Sequence, residues 1–143
     1  MEKSRKSLKL MSEIILICLA FSFIRSILEV ILTKVTTPDN IETQFIIIAK
    51  ILLCVIYAVL YIPQVYIGIK GIKIANNPDS SKAHIVWAVI FLVFAVLAMV
   101  SAVLGLINAE NVTGNVFGLV DAIIDLALYF FYIKFAKQVL ETA

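Results

Sequence analysis

Four long apolar runs constrain this chain more than any other feature. Residues 10–33, 43–69, 85–107 and 116–136 each supply the ~20 mostly apolar residues that a helix needs to cross a hydrocarbon core. They are rich in valine and isoleucine, which in water would suggest strands. In lipid every backbone N–H and C=O must be bonded internally, and runs of this length leave helices as the workable solution. Composition agrees with a lipid solvent. The chain is 62% hydrophobic and 15% charged, against roughly 45–50% and about 25% for soluble chains.

Turn-forming stretches separate the runs: TTPDN (36–40), NNPDSSK (76–82) and NAENVTGN (108–115). Asp79 or Ser80 is the expected N-cap of the third helix. Short first and third loops make their flanking helices antiparallel neighbours. Basic residues set the orientation. Lys3, Arg5, Lys6 and Lys9 precede the first run, Lys70, Lys73 and Lys82 surround the middle connection, and Lys134 and Lys137 close the last run. The other two loops carry only Lys34, beside the acids Asp39, Glu42 and Glu110. Under the positive-inside rule both termini and the middle loop are cytoplasmic. The first run is too long for a cleaved leader, and no small-x-small site precedes Arg25. The expectation is an all-α integral membrane protein of the plasma membrane. It is a single-domain, antiparallel four-transmembrane-helix bundle over residues 1–143.

Charges interrupt these runs. Arg25 and Glu29 lie in the first, Lys50 in the second, Asp121 and Asp125 in the fourth. With the orientation above, all five fall in the outer half, within roughly 7–15 Å of the outer boundary at 1.5 Å of rise per residue. They also share faces at 100° per residue: Cys18, Ser22, Arg25 and Glu29 on helix one, Lys50, Cys54, Tyr57, Tyr61, Gln64 and Gly68 on helix two, and Gly118, Asp121, Asp125, Tyr129 and Tyr132 on helix four. A charge facing lipid costs several kcal/mol. The pattern therefore predicts an inward charge cluster in which Arg25 meets Glu29 and either aspartate, and Lys50 meets a remaining carboxylate. Tyr57, Tyr61, Gln64, Tyr129 and Tyr132 extend it as a polar track toward the cytoplasm. Pro63 is expected to break helix two beside that track.

Helix three is uncharged within its run. Ala88, Ala95 and Ala102 recur every seven residues, with Ala98 and Gly105 between them, as a small-residue packing seam. The single histidine, His84, falls at a membrane boundary and reads as a structural interfacial residue. Cys18 and Cys54 read as buried thiols.

Catalytic signatures are missing: the sequence contains no HExxH, GxSxG or P-loop. Two aspartates on adjacent turns of one helix do not converge on a substrate from both sides. No enzyme, metal or cofactor is expected, and a net charge of +2 does not suggest nucleic acid. In size and span count the chain resembles the small tetraspan membrane proteins of bacteria, which include some immunity proteins against membrane-active peptides. That resemblance implies a non-enzymatic interaction or accessory role, with the bilayer and a membrane-protein partner or a second copy as its contacts. The alternative is a proton- or cation-coupled transporter or channel subunit using the charge cluster.

Overall fold

The structure, a computed structural model, describes residues 2–32, 43–109 and 111–141. Four helices account for nearly all of them: α1 (Glu2–Leu32), α2 (Thr43–Asn76), α3 (Ala83–Ile107) and α4 (Val112–Glu141). Each is long and apolar enough to cross a membrane, which suggests a multi-pass membrane protein. All four extend beyond their apolar runs, α3 by only two residues, because helix formation does not stop where hydropathy does. At α1 the charged segment before Leu10 is still helical, with Glu2 in the first turn and paired to Lys6 at 2.8 Å.

Local chemistry sets the ends. α2 stops before Pro78, whose ring disfavours helical geometry at Asn77. The last bond of that helix runs from Asn77 N–H to the Lys73 carbonyl at 2.8 Å. α3 begins after Lys82, which occupies the N-cap with no side-chain cap bond. The expected cap, Asp79, is engaged elsewhere. Its Oδ1 accepts the Ser81 N–H at 2.8 Å and its Oδ2 accepts from Lys70 Nζ at 3.0 Å. At the far end of α3, Ala109 takes a left-handed backbone with φ 55°, a conformation costing a non-glycine residue about 1–2 kcal/mol. Pro63 does not break α2, which continues through it from Thr43 to Asn76.

The helices form a ring. α1 lies along α2 and also against α4, while α3 lies along α4 and touches α2 less. Among the described residues α1 and α3 do not meet. The core is uneven along the ring. Leu8, Ile15 and Leu19 pack with Ile67 and Ile74, Ile85 and Ala88, and Tyr132, Ala136 and Val139 in one buried cluster. This is the end where α1 begins and α2 finishes, here termed the tight end.

Two glycines let the helices approach there. A methyl group at Gly71 would run into Ser12 Oγ and the Tyr132 ring, and one at Gly68 would enter Leu16. Arg5 closes the same end by donating from Nε to the Ala75 carbonyl at 2.7 Å and from Nη2 to the Asn76 carbonyl at 2.6 Å. These are carbonyls of the last turn of α2, which lack partners within the helix. Toward the opposite, open end burial thins out. No α2 residue from Gln44 to Tyr66 is buried, so long apolar faces await lipid or protein.

Candidate functional site

The charged residues gather at the open end, between α1, α2 and α4. Arg25 is the hub. Its Nε donates to Glu29 Oε1 at 3.0 Å one turn along α1, and its Nη1 donates to Asp121 Oδ2 on α4 at 2.9 Å. The guanidinium fork suits this task, since its donors point in fixed, separate directions. The three side chains remain half-exposed, at 55%, 64% and 54% for Arg25, Glu29 and Asp121. The ion pairs therefore sit at the mouth of an open cleft rather than inside a closed bundle.

Two expected members are placed differently. Lys50 donates to the Ile31 carbonyl at 3.1 Å instead of meeting a carboxylate. That carbonyl belongs to the last described turn of α1, on the helix beside Lys50. Asp125, one turn beyond Asp121, makes no hydrogen bond or ion pair among the described residues and lines the cleft.

That cleft encloses about 460 Å³ and is bounded by Cys18, Ser22, Arg25, Tyr61, Asp121 and Asp125. It continues into a recess of about 160 Å³ that adds Gln64 and Tyr129 to the walls, and Ile15, Leu19 and Leu128. Tyr129 donates from its hydroxyl to Gln64 Oε1 at 3.1 Å, joining α4 to α2 across the recess. Gln64 in turn donates through Nε2 to the Leu60 carbonyl at 3.4 Å. Tyr61 lies 3.5 Å from Ser26 Oγ through its hydroxyl, and its ring stands edge-on to Phe23 at 5.4 Å. Tyr57 is half-buried, one turn from Tyr61 toward Lys50.

The expected track ends at Tyr129 and Gln64. Tyr132 belongs to the core instead: it is fully buried, with its hydroxyl 3.0 Å from the Ile67 carbonyl and 2.7 Å from His84 Nδ1. Around it the apolar cluster closes the bundle. The polar cleft is thus blind, opening at one end and floored by packed side chains.

The small-residue face of α3 splits. Ala88, Ala95 and Ala102 are buried at 0%, 6% and 6%. Gly105 takes the Asn115 side chain against its backbone, and Gly118 faces Ala102. Ala98 is exposed. The seam is single-sided because α3 leans mainly on α4 and touches α2 less.

His84 was the site residue hardest to place from sequence. It is buried within the bundle, at 1% exposure. A signal existed: His84 lies one turn before Ala88 and so shares the face of the buried alanines. Cys18 and Cys54 are half-buried rather than buried, and Cys18 borders the cleft. No protein-family model matches this chain, and neither a curated protein nor a solved structure matches it significantly.

Proposed function

We propose that this chain is an integral protein of the plasma membrane, an antiparallel four-helix bundle with both termini cytoplasmic. On this reading it acts by contact with another membrane protein or a second copy of itself, not by catalysis. The basic residues Lys3, Arg5, Lys6, Lys70, Lys73 and Lys137 lie on the segments of the tight end, which supports a cytoplasmic assignment for that end. The cleft then opens toward the outer leaflet. One observation carries the reading. The polar walls stop at Gln64 and Tyr129, and the floor beneath is packed. A single chain offers a place to bind and no polar route across. The exposed apolar length of α2 supplies surface for a partner helix beside it.

The test is site-specific photo-crosslinking in native membranes. A crosslinker at Ser22, in the cleft, should give one discrete adduct whose mass separates a homodimer from a heteromeric complex. A crosslinker at Phe130, exposed on α4 away from the cleft walls, should give none. Equal yields at both positions, or no adduct at Ser22, would remove the reading.

A second reading rests on Asp125, a carboxyl facing the cleft with no bonded partner among the described residues. Such a group inside a membrane marks a proton or cation site, and the chain would be a subunit of a transporter or channel. Asp125→Asn should then abolish proton- or cation-dependent flux in proteoliposomes. Absence of flux from the parent protein with protons, sodium and potassium would eliminate it.

A further inference from the structure

A proton count at the tight end points to a second, separate site. Three contacts run in series through His84. Its Nε2 lies 3.1 Å from the Ser81 carbonyl, its Nδ1 lies 2.7 Å from the Tyr132 hydroxyl, and that hydroxyl lies 3.0 Å from the Ile67 carbonyl. The two carbonyls only accept. A neutral imidazole carries one N–H and the phenol one O–H, so two protons serve three contacts. If Nε2 holds the proton, Tyr132 must donate to Nδ1, and its contact with Ile67 has no proton, the Ile67 carbonyl keeping only the Gly71 N–H of its own helix. If Nδ1 holds it, the Nε2 lone pair faces the Ser81 carbonyl. Only the imidazolium supplies three protons: Nε2–H to Ser81, Nδ1–H to Tyr132, and the phenol O–H released to Ile67.

We propose that His84 is a proton-binding site whose charged form completes a hydrogen-bonded chain from the α2–α3 connection through α3 and α4 to α2. The chain holds three helices together where the bundle is most tightly packed, so its last link opens and closes with one proton.

The surroundings bear on the charge from each packed element. From α2 comes Lys70, which disfavours it, and from the connection comes Asp79, which favours it; the two are themselves paired at 3.0 Å. From α4 the facing titratable group is Tyr132, whose ring stands edge-on to the imidazole at 5.9 Å. α1 makes no contact with α3 among the described residues. Burial is the largest influence and holds the imidazole below its ordinary value, against the Ser81 carbonyl, which favours the charge. This site does not depend on the role given to the cleft, which lies on the far side of the core.

The chain contains one histidine, so its ring nitrogens can be followed without ambiguity. The experiment is a pH titration of histidine-¹⁵N-labelled protein in micelles by NMR, on the parent chain and on Tyr132→Phe. The expected result is that both nitrogens move to imidazolium positions between about pH 5 and 8. In Tyr132→Phe, which cannot accept from Nδ1, proton affinity should drop about tenfold. If Tyr132→Phe does not fold, His84→Gln serves in its place, and the midpoint of thermal unfolding should lose its dependence on pH across the same window. An imidazole that stays neutral from pH 8 down to 5 overturns the proposal, as does the same titration in Tyr132→Phe. In the replacement experiment, unchanged pH dependence in His84→Gln overturns it.

Discussion

Arg5 donates to the Ala75 carbonyl at 2.7 Å, and its second nitrogen reaches Asn76 at 2.6 Å, so the start of α1 caps the end of α2. A charged donor on two otherwise unpartnered carbonyls stabilises a helix end, and partial exposure keeps the gain modest. Arg5→Ala should cost about 1 kcal/mol. Arg5→Lys should recover only part of this, because one ammonium does not reproduce the fork. Unfolding in mixed micelles gives the magnitude, and faster amide exchange confined to residues 74–77 would show that the loss is local.

Gly71 and Gly118 make a matched pair. A methyl at Gly71 meets Ser12 and the Tyr132 ring, whereas at Gly118 its nearest neighbour is Ala102 Cβ at 4.0 Å. Alanine normally improves a helix interior by about 1 kcal/mol. Gly118→Ala should therefore be neutral to stabilising by up to about 1 kcal/mol. Gly71→Ala should instead destabilise by about 1–3 kcal/mol through overpacking. Equal effects at the two positions would contradict the close approach of α1, α2 and α4.

The ion pair between Arg25 and Asp121, at 2.9 Å, joins α1 to α4 at the open end. A double-mutant cycle with Arg25→Gln and Asp121→Asn should return a coupling energy of about 1 kcal/mol. Arg25 also holds Glu29, so Arg25→Gln alone should cost more than Asp121→Asn alone. Zero coupling would mean that the pair does not tie the helices.

Asp79 supplies a pH dependence outside the apolar runs. Its carboxyl is held below the ordinary carboxylate range, first by the Ser81 N–H and then by Lys70. A carboxyl that binds its proton more weakly when folded stabilises the fold above its unfolded value, about pH 3.9, and loses that contribution as pH falls through the lower folded value. The 77–82 connection should hold at neutral pH and loosen only in acid. The Asp79 carboxyl ¹³C resonance should titrate below that of an unfolded peptide. Asp79→Asn should loosen the connection at neutral pH as much as acid does.

Much of the architecture follows from run length alone. Four stretches able to span a bilayer became four helices, each bounded by turn-forming residues. Their true ends were less legible, because hydropathy reports where lipid would lie and not where hydrogen bonding stops. Hence α1 starts at Glu2 and α4 reaches Glu141. Equal depth and a shared face place Arg25 within reach of Asp121 or Asp125, and the chosen partner is Asp121. Depth and face do not reveal competition from the backbone. Lys50 takes the Ile31 carbonyl of α1, a backbone acceptor that neither property can show. Nor does a heptad spacing say how many helices flank it, which is why Ala98 falls outside the seam. Tyr132 and His84 needed the fold itself, since two residues 48 positions apart give no pairwise signal in one sequence.

The missing contact between α1 and α3 has a mechanical result. The chain amounts to two hairpins, α1–α2 and α3–α4, stitched chiefly through α1 and α4 and most firmly where the core is thick. The softest deformation is a spreading of these two leaves about that thick region. Whatever occupies the gap between them from the open end acts with leverage on the far ends of the helices.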